Sequence, residues 1–444
     1  MLASWIRTEP LAAVLIVIAL TLPLEFTQSW FPVGSVDVAR LGMVVAFCLA
    51  VLQVVRRREI TRPPWLLLAA VGGVLAVEAL SVAVFRWPSG VRSLVGVAAF
   101  AVFAGVVVQG VRDVRVLRLV VLALVVSTAV EGVLLIAEQV TNVYLVPRPG
   151  LDVLGRRNGT FDDPNNAARL LLIGLGATLA WAATSRLSDR LRVVWAGMLV
   201  ALSLGLVLTL SRTSWLLMAL VLVVWVLSTV RSVRAAVGPA IVCGAFVIGL
   251  VVVPNALGRA SDIPPADDGT ALQVVPGDIV PDPHPSNTIL DPILRAAPID
   301  EVRRYLARAG TSMFEVHPIL GVGLGGFQPK LLGPYRDFIP TSRGLKSTSL
   351  PHTDVIRIAA EEGLVGLAAW AAFLAALLLS LRRAASRIPP GLAVALGLAG
   401  LVILVASQSE GRFYTDPYLW LVVGLIGAAA RFERESPEPA ILRP

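Results

Sequence analysis

Long apolar runs alternate along the chain with short clusters of arginine, and that alternation predicts the architecture. Runs of about 17–25 apolar residues are long enough, as helices, to cross the hydrocarbon core of a bilayer. They fall at residues 10–26, 37–55, 64–85, 92–110, 116–136, 164–184, 193–210, 213–230, 235–253, 353–381, 390–408 and 416–430. About twelve spans follow. The pattern is that of an all-α integral membrane protein. Residues 1–253 hold nine helices, 254–352 one long loop, 353–435 three further helices and 436–444 a short tail. The loop opens Pro-rich and polar from Ile263 to Pro298, turns helical in pattern over Ile299–Glu315, and then carries a glycine-rich turn at Gly321–Gly326. The first run lacks a small-residue cleavage site, so it is expected to remain a span rather than act as a signal peptide.

Charge gives the expected orientation. One set of alternate loops holds Arg56, Arg57, Arg58 and Arg62, then Arg112, Arg115 and Arg118, then Arg186, Arg190 and Arg192. It continues with Arg231 and Arg234, with Arg382, Arg383 and Arg387, and with Arg431 and Arg434. Short Arg-rich loops stay cytoplasmic. Both termini are therefore expected inside, and the long loop 254–352 outside the cytoplasm.

Composition agrees. Hydrophobic residues make up 56% of the chain and charged residues only 15%, with a mean hydropathy of +0.78. A soluble domain carries roughly 25% charged residues, so lipid is the expected solvent. The net charge of +8 is almost all arginine, with lysine only at Lys330 and Lys346. Much of it lies in the short loops facing anionic lipid, and no nucleic-acid-binding motif accompanies it. Cys48 and Cys243 both lie in apolar runs, with no metal-ligand spacing. Walker A, Asp-x-Asp, His-Glu-x-x-His and Gly-x-Ser-x-Gly signatures are all missing, which argues against a soluble nucleotide donor and against a zinc hydrolase.

Arginine on the outer side breaks the charge rule and marks candidate chemistry. Arg156 and Arg157 stand directly before a span, Arg212 sits between two spans with almost no loop, and Arg303, Arg304 and Arg308 lie on the expected loop helix. A guanidinium can hold a phosphate or diphosphate bidentately. The plainer reading is snorkelling or surface ion pairing, which is favoured for Arg303 and Arg308. Arg212 leans toward function, because a buried cation between spans is costly unless used. The tract from Gly159 to Asn166, including Asn165, also reads as a turn that caps the next helix. Of three histidines, His284 lies in the Pro-rich tract, and His317 reads as a loop residue. His352 stands where the loop re-enters the membrane, ahead of Asp354 and Glu361. A neutral imidazole there could take a proton from a sugar hydroxyl.

Three ordered blocks together resemble the O-antigen ligase and polymerase-like superfamily. They are Arg-x-x-Gly-Thr-Phe-x-x-Pro-Asn at 156–165, Ser-Arg-x-x-Trp at 211–215, and the pair His-Pro-x-x-Gly-x-Gly from His317 with Glu-x-Gly-x-x-Gly from Glu361. The resemblance implies a bacterial enzyme of the cytoplasmic membrane that moves a glycan from a polyprenyl diphosphate donor to a lipid or glycan acceptor at the outer face. It implies His352 as the base, with Arg212 and Arg304 on the donor diphosphate, and Arg156, beside Arg157, lining the same cavity. Asn165, His317, Asp354 and Glu361 would support them. It also implies inversion at the anomeric carbon and no metal or other cofactor. Many members have His-Asn where this chain has His352–Thr353, which leaves the role of that Asn to Thr353 or Asp354. Transfer to a protein acceptor is disfavoured, because the chain is short beyond its last span. The rivals are a polysaccharide polymerase and a lipid-linked sugar transporter. A transporter would favour midplane charges and repeats.

Overall fold

A computed structural model describes residues 9–24, 37–146, 156–161, 163–184, 188–229, 241–245, 301–339, 351–410 and 413–433. The helices are α1 (Pro10–Thr21), α2 (Val38–Arg57), α3 (Trp65–Phe85), α4 (Pro88–Gly110), α5 (Val114–Thr141), α6 (Pro164–Thr184), α7 (Asp189–Leu208) and α8 (Arg212–Thr229). They continue with α9 (Glu301–Val316), α10 (Phe327–Leu332), α11 (Asp354–Ala385), α12 (Pro390–Glu410) and α13 (Pro417–Ala429). No strand occurs among the described residues. Among the described residues, seven helices are long and apolar enough to cross a membrane: α2, α3, α4, α5, α7, α11 and α12. Apolar stretches of α1, α8 and α13 are shorter. The sixth expected span, α6, is a 21-residue helix. Apart from residues 241–245, which are helical, the ninth lies outside the described residues. So do the Pro-rich stretch with His284, residues 340–350 and the tail 436–444.

Local chemistry sets the helix ends. Asp37, Asp113 and Asp416 accept from the backbone N–H groups of Arg40, Val116 and Tyr418, and so cap α2, α5 and α13. Such caps satisfy donors that the first turn leaves open. Arg58, Arg86 and Asn142 take left-handed backbone angles and stop α2, α3 and α5. The core forms around α6, where Leu170, Leu171, Leu172 and Ile173 are fully buried. This helix packs on α12, α7, α5 and α8. At the far side, Val44, Val45, Phe47, Val51 and Val55 of α2 stay exposed, as expected of a face turned to lipid.

The loops sort to two ends. At one end the Thr61 N–H donates to Gln109, Arg57 pairs with Glu9, Arg431 donates to the Val108 carbonyl and Arg387 to that of Phe432. At the opposite end meet residues 81–90, 156–161, 208–212, the 301–339 segment and the start of α11. Every described Arg-rich loop expected on the cytoplasmic side lies at the first end. The expected helical pattern at 299–315 is α9, which packs through Tyr305, Leu306, Ala309 and Met313 onto the start of α11.

Hydropathy predicts an unbroken helix at residues 353–381, but α11 breaks at Gly363, with φ 65° and ψ −154°. The break frees the carbonyls of Ala360 and Glu361 and the N–H groups of Leu364 and Val365. The glycine-rich loop takes over all four. Val322 N–H donates to Ala360 (2.8 Å) and Gly323 N–H to Glu361 (2.8 Å), while Leu364 and Val365 donate to Pro318 (2.8 Å) and Ile319 (3.2 Å). Gly321, at φ +64°, lets the loop approach closely, since a Cβ there would collide with the Ala360 and Glu361 carbonyls. The loop's other side docks between α3 and α4. There Trp87 Nε1 donates to the Val322 carbonyl, Ser89 Oγ to that of Gly325, and the Leu324 N–H to Ser81 Oγ.

Candidate functional site

The tract after residue 155 is held from below by two carboxylates of α5. Glu131 accepts from the backbone N–H (2.9 Å) and hydroxyl (2.7 Å) of Thr160, and Glu138 from the Gly159 N–H (2.9 Å). Both acids are almost fully buried. Thr160 also donates to the Pro23 carbonyl, tying α1 to the same point. The two adjacent arginines then diverge. Arg157 is 5% exposed, donates to Gln139 and Asn142, and stacks over the Tyr144 ring at 4.6 Å. Those contacts commit its guanidinium to the loop's own structure. Arg156 turns the other way, donating to the Thr209 carbonyl (2.9 Å) and to Asn165 (2.9 Å).

Those contacts bring the first two blocks together. Arg157 N–H bonds the Leu208 carbonyl, so the arginine tract lies against the 208–211 turn that leads into Arg212. The backbone of Arg212 opens α8; its side chain lies outside the described part. The hydroxyls of Ser211 and Ser214 lie 2.9 Å apart, and Trp215 reaches back to the Leu206 carbonyl. From the loop segment comes Arg303. Burial pulls the Arg156 pKa below the usual guanidinium value, Asp163 opposes that shift, and the Arg303 charge adds a smaller push downward. Arg156 thus lies within electrostatic range of both an acid, Asp163, and a second cation, Arg303. Arg304, its neighbour, is half-buried on the same helix.

His352 is half-buried immediately before α11. Its surroundings are anchored by Asp354, which is fully buried, accepts from the Phe413 N–H (2.9 Å) and pairs with Arg357 (3.2 Å). A second buried pair, Arg169 with Asp416 at 3.2 Å, joins α6 to the same 413–416 turn. Arg169 follows Asn165, the Arg156 partner, by one helical turn, roughly 6 Å along the axis. The first turns of α6 therefore link the arginine tract to the segment that carries His352. Glu361 is buried and accepts from the Phe327 N–H (3.2 Å) at the start of α10, holding the glycine-rich loop. His317 is exposed at the far end of α9, 13 residues from Arg304 or roughly 20 Å along the helix. The fold does not bring it to the arginines.

Sequence reasoning missed the buried acids Glu78, Glu131 and Glu138 inside the helices. Their signal was available, because a carboxylate in an apolar run is costly and so has a partner or a task. Glu78 and Glu362 share a neighbourhood with Arg357 behind the start of α11. Burial first, and these two carboxylates next, push the Tyr414 hydroxyl well above its ordinary value.

No curated protein matches the chain. A family match covers residues 197–371, from α7 into α11, and takes in Arg212, Arg303, Arg304, the glycine-rich loop, His352 and Glu361. That match is to O-antigen ligase, and it makes this segment of the chain similar to the O-antigen ligase-like family.

Proposed function

We propose that the protein transfers a glycan from a polyprenyl diphosphate carrier to an acceptor hydroxyl, in the manner of an O-antigen ligase, at the outer face of the bacterial cytoplasmic membrane. The observation that carries this reading is that Arg156, bonded to Thr209 and Asn165, and His352 stand at the same end of the helix bundle, linked through Arg169–Asp416 and Asp354–Phe413. Arg156, Arg303 and Arg304, with Arg212 from the adjoining turn, would hold the donor diphosphate. His352 would accept the proton of the acceptor hydroxyl as its oxygen attacks the anomeric carbon. The bond from that carbon to the phosphate oxygen breaks, and its electron pair leaves with the carrier diphosphate, whose charge the arginines offset. Attack opposite the leaving group inverts the anomeric centre. Arg157, Asp354 and Glu361 act in this reading as positioning residues, through the loops they hold.

Orientation rests on the arginine clusters. Placing the Arg-rich end in the cytoplasm puts the His352 end outside, with both termini inside.

The test uses purified protein in proteoliposomes with a polyprenyl-diphosphate glycan and a panel of lipid and glycan acceptors. Release of carrier coupled to acceptor glycosylation, lost in folded His352→Ala, is the expected result. Full activity in His352→Ala removes the proposed base. Extension of the donor glycan on a second carrier would identify a polymerase instead. Movement of the lipid across the bilayer without transfer would identify a transporter.

A further inference from the structure

The loop that repairs the break in α11 leaves an apolar tip uncovered. Val316 (61% exposed), Ile319 (64%) and Leu320 (36%) project from the end of α9 and the turn after it, and Leu364 (54%), the first residue past the break, joins them. The grouping is rigid rather than incidental, because Pro318 and Ile319 accept the N–H groups of Leu364 and Val365. An exposed cluster of large aliphatic side chains on a structured turn marks an interaction surface.

The depth of this tip follows from the helix it is bonded to. From Leu364 to Leu381, ahead of Arg382 and Arg383, α11 runs 18 residues, roughly 27 Å at 1.5 Å per residue. That is close to the ~30 Å thickness of a bilayer hydrocarbon core. With Arg382 and Arg383 held at one headgroup layer, Leu364 lies at the opposite hydrocarbon boundary, and Ile319 and Leu320 lie beside it. Trp87, at the end of the neighbouring α3–α4 turn, donates to the Val322 carbonyl in the same loop. An indole at that level matches the aromatic belt of a membrane interface.

We propose that Val316, Ile319, Leu320 and Leu364 form a wedge immersed in the acyl chains of the outer leaflet, so that lipid is the partner this surface takes. The wedge sets the height of α9 over the bilayer and keeps Arg303 and Arg304 within reach of a headgroup-level phosphate. The inference is independent of glycan transfer; it requires that α11 spans the membrane, and the choice of leaflet rests on the orientation proposed above.

The experiment is site-directed spin labelling in a Cys48→Ala/Cys243→Ala background, reconstituted in bilayers. Labels are placed at Ile319→Cys and Leu320→Cys, with Arg336→Cys as a reference exposed on the same segment. Power saturation compares collision with oxygen, which partitions into lipid, against a water-soluble nickel chelate. An oxygen-to-nickel accessibility ratio above one at 319 and 320, and below one at 336, is the expected outcome. A ratio below one at 319 and 320 overturns the wedge, since the tip would then face water. Low accessibility to both agents at 319 and 320 also overturns it, since other parts of the chain would then cover the tip. Two labelled sites keep the result readable where one substitution disturbs folding.

Discussion

The break at Gly363 offers the sharpest test of how the two glycine-containing blocks work. Its backbone lies in a region open in practice to glycine alone, where any other residue costs about 1–3 kcal/mol. A methyl group at residue 363 would also collide with the carbonyls of Ile319 and Pro318. Gly363→Ala has two ways to respond. It can keep the break and carry the strain. Alternatively, α11 can straighten, returning Leu364 and Val365 to Ala360 and Glu361. Straightening leaves the Val322 and Gly323 N–H groups and the Pro318 and Ile319 carbonyls without their partners, and each such group that stays buried costs about 1–3 kcal/mol. Strain is the cheaper response, so we expect a loss of about 1–3 kcal/mol. Thermal unfolding in detergent should register this as a melting temperature lower by roughly 1–3 °C. Gly400→Ala in α12 is the matched control, because a Cβ there meets nothing within 4 Å, and it should be neutral or slightly stabilising. Unfolding of Gly363→Ala at the wild-type temperature, with wild-type transfer activity, would refute the reasoning.

Three further outcomes are expected. Arg169→Leu leaves Asp416 buried without its cation and should cost about 3–5 kcal/mol; Arg169→Leu/Asp416→Leu should recover most of that in the same melt. Thr160→Val removes the hydroxyl that Glu131 accepts from in a buried setting, a loss of about 1–3 kcal/mol readable as a lower melting temperature. Arg303→Ala should raise the KM for the lipid-linked donor at least tenfold, about 1.4 kcal/mol, with a smaller change in the KM for acceptor; an unchanged donor KM would remove Arg303 from the diphosphate site.

Much of this protein was legible in the order of its residues. Apolar runs of bilayer length and the arginine clusters between them gave the helices and the two-ended sorting of their loops, because burial in lipid leaves few alternatives to a helix. The helical pattern before Val316 and the glycine turn after it were also readable, since both are local. Tertiary contact decided the rest. Arg156 and Arg157 are adjacent and chemically identical, and only Gln139, Asn142 and Tyr144 on one side, with Thr209 and Asn165 on the other, separate their surroundings. Arg303 reaches the Arg156 end of the bundle through the docking of α9 on the start of α11, which no local spacing encodes. The break in α11 is likewise invisible in hydropathy, because Gly363 sits in a helix-compatible run. It exists because a loop more than thirty residues earlier supplies the hydrogen bonds that the helix gives up.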